Sequence, residues 1–121
     1  MSDAFFDLWW RAFLSTIIIE VPIYALVLRA LDLPRALVLG LACQAVTHPC
    51  FWLSWNALGD GVYDHYVVAV IAFETVITII EASLCAIILT REGFAFRRAT
   101  SISLFASLLA NASSVLVGYL K

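Results

Sequence analysis

The chain is short of charge. Its 121 residues hold 7 Lys or Arg and 9 Asp or Glu, 13% together, where a soluble domain carries roughly 25%. A net charge of -2, with no basic tract and no interleaving of basic and aromatic residues, gives no footprint for nucleic acid. Cysteine is scarce and odd in number: Cys43, Cys50 and Cys85 each sit inside an apolar run and form no CxxC pair. A disulfide framework is therefore not expected, and small apolar packing residues are. The opening Met-Ser-Asp-Ala-Phe-Phe-Asp is acidic, so it lacks the positive start of a signal peptide, and the first apolar run is expected to be retained. Neither end carries a lipidation motif. No HExxH or paired Cys/His spacing specifies a metal.

Apolar residues fill the space that charge leaves. They make up 64% of the chain, and the mean hydropathy is +0.99. At this length such a surplus has no water-soluble solution, so the solvent is lipid. A spanning helix needs ~20 mostly apolar residues, and four segments qualify: about 8–31, 34–58, 63–90 and 96–120. Turn-forming stretches separate them: Arg29 to Pro34, Asn56 to Gly61, and Arg91 to Gly93. Strand alternation is missing, and a lipid-exposed backbone must satisfy its own hydrogen bonds, so the spans are helices. Short connections make sequential helices antiparallel neighbours. The reading is all-α: one polytopic membrane domain of four antiparallel transmembrane helices covering 1–121, with no segment left for a soluble domain.

Basic residues set the orientation. Arg29, Arg35, Arg91, Arg97 and Arg98 fall at one end, and Arg11 and Lys121 at the other. By the positive-inside rule, the first and third loops are cytoplasmic and both termini lie outside, as in a bacterial inner membrane. Trp9, Trp10, Trp52, Trp55, Tyr63, Tyr66 and Tyr119 gather at the outer end, where amphipathic rings suit the headgroup level.

The two halves resemble one another. Ile18-Ile-Glu-Val-Pro-Ile-Tyr-Ala-Leu-Val-Leu-Arg29 lies against Ile79-Ile-Glu-Ala-Ser-Leu-Cys-Ala-Ile-Ile-Leu-Thr-Arg91. Glu20 then matches Glu81, Ala25 matches Ala86, and Leu28 matches Leu89. One inserted residue then aligns Arg29 with Arg91, and the next helices continue the match: Arg35-Ala36 with Arg98-Ala99, Leu41 with Leu104, His48 with Asn111. Two repeated helical hairpins of this kind are related by an axis along the membrane normal, with sites at the repeat interface. Chance matching between Ile/Leu/Ala-rich helices is the alternative.

Each span carries a polar stripe at helical spacing. The stripes are Thr16, Glu20 and Tyr24; Gly40, Gln44, Thr47 and His48; Glu74, Thr78 and Glu81; and Thr100, Ser103, Ser107, Asn111, Ser114 and Gly118. A charge at bilayer depth costs at least ~2.5–3.5 kcal/mol on insertion scales, so these faces turn away from lipid and should converge. Counted from the cytoplasmic arginines at ~1.5 Å per residue, Glu20 and Glu81 lie ~14–15 Å deep, and His48 and Asn111 ~20 Å. Glu74 is about two turns further outward. Ser103, Ser107 and Asn111, or Ala106 and Ala110, also repeat small residues every four positions, which favours close helix contact. Pro22 and Pro49 adjoin the acidic and histidine positions. Each removes a helix hydrogen bond, giving either an ordinary kink or a broken helix of the kind that builds ion sites.

The expected site is therefore cation- or proton-binding, formed by Glu20, His48, Glu74, Glu81 and Asn111, with Tyr24, Gln44, Thr78 and Ser107 in support. Carboxylates, imidazole and amide together suit a proton relay or a divalent metal held by Glu20, His48 and Glu81. A haem between two helices is not expected, because His65 belongs to the outer loop and no second intramembrane histidine exists. These residues fit a small carrier or permeation subunit, working as a homo-oligomer or inside a larger membrane complex, since four helices barely enclose a pathway. They also fit an intramembrane hydrolase in which Glu and His activate water, with or without a metal. Membrane glutamate proteases are similar in using Glu, His and Asn within helices, although the adjacent Glu-Glu pair followed by Arg is missing here. A third class is a structural subunit whose buried polar groups specify packing.

Overall fold

The computed structural model describes residues 3–29 and 31–120, apart from the side chains at 5, 62, 63, 119 and 120. The side chains of Tyr63 and Tyr119, and the whole of Lys121, assigned above to the outer end, are thus outside what is described. The chain is helical, in the order α1 (Asp3–Val27), α2 (Leu33–Leu58), α3 (Gly61–Asp64), α4 (Tyr66–Arg91) and α5 (Phe96–Leu120). Four of these, all but α3, are long and apolar enough to cross a membrane.

Helix ends differ from the sequence expectation where turn chemistry intervenes. α1 stops at Val27, four residues short of the boundary at 31. The chain must turn there because Asp32 caps the next helix, accepting from the Arg35 backbone N–H at 3.0 Å, with Pro34 in its first turn. The third span begins at Tyr66 rather than 63, after the separate turn of α3. Gly59 takes φ +64 at the end of α2, and Gly93 takes φ +93 between α4 and α5. Both are left-handed positions that suit glycine after a helix.

α1 packs on α2 and α5, and α4 packs on α5 and α2, so the four spans close a ring. The turns after α1 and α4 lie at one end, where Arg35 Nη1 sits 2.6 Å from Glu92 Oε2. At the other end the rings of Phe51, Trp55, Tyr66 and Phe73 pack between α2 and α4. The outward faces are apolar, with Ile18, Leu26, Val38, Val68 and Phe105 exposed, as lipid requires.

Burial repeats between the hairpins at most inward positions, although Leu39, Thr78 and Ala82 are buried where their counterparts Ile102, Ile17 and Val21 are half-buried. Glu20 and Tyr24 on α1 and Leu28 just after it are buried, and so are their counterparts Glu81, Cys85 and Leu89 on α4. On α2, Ala36, Gly40, Cys43, Gln44, Thr47 and His48 are buried, and so are Ala99, Ser103, Ala106, Ser107, Ala110 and Asn111 on α5. Exchanging the hairpins also exchanges the α1–α5 contact with α2–α4. This correspondence runs beyond the residue types shared in the sequence.

The small-residue face of α5 is used inside the bundle. Ala99, Ser103, Ala106, Ser107 and Ala110 are all fully buried within the chain. α1 and α2 run unbroken through Pro22 and Pro49. Pro22 is exposed and Pro49 half-buried, so the prolines act within continuous helices and form no broken-helix site.

Candidate functional site

Glu81 is the centre of a buried network that draws on every spanning helix. Its side chain is 0% exposed. From α1, the Tyr24 hydroxyl donates to Glu81 Oε2 at 2.7 Å. From α5, Asn111 Nδ2 donates to the same oxygen at 2.9 Å, and Ser107 Oγ lies 3.4 Å away. From α2, Thr47 Oγ1 donates to Oε1 at 2.7 Å and Gln44 Nε2 at 3.2 Å. Interior carboxylates need such donors, since burying a charge without hydrogen bonds is very costly. In the low local dielectric the network is stronger than its parts, and more costly when incomplete.

Gln44 joins the two glutamates. Its Nε2 donates to Glu81 Oε1 and also to Glu20 Oε2, one amide carrying two N–H donors to two carboxyl groups. Glu20 is 2% exposed. The repeat-related glutamates thus meet across a single side chain, as their shared depth and inward faces predict.

Close helix approach makes this possible. A Cβ added to Gly40 would lie 3.0 Å from Tyr24 Cβ and 3.6 Å from the Val21 backbone. The absent side chain lets α1 approach α2, and Tyr24 passes through the core to Glu81. Further contacts hold these donors in place. Thr47 Oγ1 is also 2.8 Å from the Cys43 carbonyl oxygen, and Asn111 Nδ2 donates to the Ser107 carbonyl oxygen at 2.9 Å. Ser107 Oγ donates to the Thr78 carbonyl oxygen at 3.0 Å. Cys43 and Cys85 face one another beneath this layer, Sγ to Sγ 3.6 Å.

The other expected members are placed apart. His48 is buried among Trp9, Phe13 and Trp52, with ring centroids 6.4, 5.1 and 6.3 Å away. Its Nδ1 has no hydrogen-bond partner among the described residues. Glu74 is half-buried and lines a groove between α4 and α5, together with Thr78 and Asn111. Among the described residues no three His, Cys, Asp or Glu side chains gather as metal ligands, so Glu20, His48 and Glu81 do not form the expected ligand set. His48 shares their face but sits further outward, where the aromatic side chains of α1 surround it. On the α5 stripe Thr100 and Gly118 are exposed, while Ser103 is buried with its Oγ unpartnered. Thr47 was legible only as a stripe residue, yet it makes one of the shortest contacts to Glu81. The signal was its place three residues after Gln44, on the same face.

No family model, curated protein or solved structure matches this chain.

Proposed function

We propose that this protein is a small membrane carrier or permeation subunit, and that the Glu20–Gln44–Glu81 group binds and releases a proton. The supporting observation is the meeting of two intramembrane carboxyl groups, one from each hairpin, across the two donors of one amide. Intramembrane carboxylates mark proton relays and ion pathways. The chemistry of the donor set favours a proton over a metal cation. The N–H groups of Gln44 and Asn111 are aimed at the carboxylate oxygens and have no lone pair to offer a metal. Oligomerisation or a larger membrane complex would supply the remaining walls of a pathway.

Proton exchange at this group has a direct readout. Infrared difference spectra of the protein in lipid, taken across a pH step, should contain a carboxylic acid carbonyl band. The band should be lost or shifted in Glu20→Gln, and that variant should abolish proton leak into dye-loaded vesicles if the wild type shows one. An unchanged carbonyl band in both Glu20→Gln and Glu81→Gln would defeat the proposal. The complete donor set around Glu81 favours a second reading, a structural subunit in which the network specifies packing. It is supported if both variants unfold more readily and the wild type shows no exchange. The hydrolase reading needs an imidazole beside a carboxylate, and His48 makes no such contact.

For orientation, the proposal is a bacterial inner membrane with both termini outside. Its support is the set of five arginines at the Gly93 end against Arg11 at the Asp60 end. In a cysteine-free background, an impermeant maleimide applied to intact cells should label Asp60→Cys and spare Gly93→Cys. The opposite pattern reverses the orientation.

A further inference from the structure

The two hairpins differ at one level of the bundle, and the difference opens a groove. In the first hairpin, Trp9, Phe13 and Trp52 close around His48 between α1 and α2. Carrying the repeat outward by the same register matches Trp9 with Val70, Phe13 with Glu74, His48 with Asn111, and Trp52 with Val115. These four counterparts all line the groove of about 540 Å³ between α4 and α5. Three large rings are replaced by two valines and a carboxylate, so a crevice plugged in one hairpin stands open in the other. Its remaining walls are mainly apolar, including Ile71, Leu108 and Leu116.

Glu74 is the one acidic group on that lining. It makes no hydrogen bond or ion pair with another described residue. It lies eight residues inside the start of α4, about 12 Å along the helix, well within hydrocarbon. A carboxylate there requires compensation, and no basic side chain lines the groove among the described residues. The volume falls in the range of small-molecule sites, roughly 300–1,000 Å³. Asn111 forms part of the groove wall and donates to Glu81, so an occupant would touch the interior network.

We propose that this groove binds a lipophilic cation entering from the bilayer: an apolar, preferably aromatic body in the space that the rings occupy in the first hairpin, and one positive charge against Glu74. This names a substrate class for the carrier proposed above and rests on that reading. Charge complementarity selects this occupant over a second copy of the chain, whose own Glu74 would bring a like charge to any symmetric contact.

The test uses the full chain in nanodiscs and two ions of nearly the same shape, tetraphenylphosphonium and tetraphenylborate. Equilibrium dialysis should show saturable phosphonium binding, at one per chain, and no saturable borate binding. Glu74→Gln should weaken phosphonium binding at least tenfold, which is about 1.4 kcal/mol. Val115→Trp, which restores a ring to the groove and keeps Glu74, should abolish it. Wild-type affinity in both variants would overturn the proposal, as would borate binding equal to phosphonium binding. If a Cys50→Ser background carrying Ile71→Cys crosslinks between copies in native membrane, and excess phosphonium leaves the yield unchanged, a second copy fills the groove and the proposal fails. Glu74 is outside the Glu20–Gln44–Glu81 group, so the outcomes separate. A wild type without saturable phosphonium binding, but with the infrared carboxyl band present, sinks this inference and leaves the proton-binding reading standing.

Discussion

Glu81→Ala is expected to be the most damaging single substitution in the protein, lowering stability by about 3 kcal/mol or more. Four donors from three other helices end on this carboxylate, with the Ser107 hydroxyl packed beside them and donating to the Thr78 carbonyl oxygen. Side-chain hydrogen bonds within membranes average only ~0.6 kcal/mol each, because the unfolded chain in lipid finds other partners. Four together still approach ~2.4 kcal/mol, and the cavity left behind brings the loss to about 3 kcal/mol or more. Glu81→Gln keeps the shape but turns an N–H₂ toward donors. The hydroxyls of Tyr24 and Thr47 can rotate to accept; the facing amide N–H of Gln44 or Asn111 cannot, and a buried donor without an acceptor costs about 1–3 kcal/mol. Glu20→Gln faces a lighter donor set, principally Gln44, and should cost under about 1 kcal/mol. SDS-induced unfolding in mixed micelles should rank the three Glu81→Ala, Glu81→Gln, Glu20→Gln, from most to least damaging. Equal effects at positions 20 and 81 would mean that Glu81 does not hold the bundle together.

That ranking could not have been reached from the sequence, although the meeting of the two glutamates could. Glu20 and Glu81 stood out as charges at one depth on inward faces, because helical spacing and the cost of a charge in lipid act on each helix separately. Which glutamate takes most of the donors depends on how the helices cross. Tyr24 reaches Glu81 only because Gly40 lets α1 approach α2, and a stripe on one helix carries no information about that distance. His48 shows the opposite failure. Its depth and face matched the site, but Trp9 and Phe13 on α1 enclose it, and sequence spacing does not reveal which neighbour fills a gap. Glu74 shared a stripe with Thr78 and Glu81, yet it opens into a groove because its position is two turns nearer the membrane surface, where the hairpins diverge in side-chain size. Span count and helix class were legible throughout, since apolar length decides them. The ends moved where Asp32 and Pro34 fix the start of α2.

The second large effect concerns the contact that brings Tyr24 to the network. Gly40→Leu should destabilise the protein by about 3 kcal/mol, near the upper end of overpacking costs. Even the first added carbon would lie 3.0 Å from Tyr24 Cβ, with the Val21 backbone behind it. Neither neighbour is the free end of a flexible side chain, so α1 must move away from α2 or Tyr24 must leave the core. Either movement breaks its 2.7 Å bond to Glu81. The cause is steric and specific, so it should be relieved by making room. Tyr24→Ala alone loses a fully buried ring and the hydroxyl donor, and is itself costly. In a Tyr24→Ala background, however, Gly40→Leu has space to fill and should cost at least about 1 kcal/mol less than in the wild type, a coupling typical of residues in contact. The second hairpin already carries a compatible pair of intermediate size at the equivalent positions, Cys85 and Ser103, both fully buried. A strictly additive double-mutant cycle in the same unfolding assay would show that Gly40 is not the determinant of the α1–α2 approach. Coupling of the expected sign would tie the missing side chain at position 40 to the hydrogen bond at Glu81, and so connect the packing of one hairpin to the carboxylate of the other.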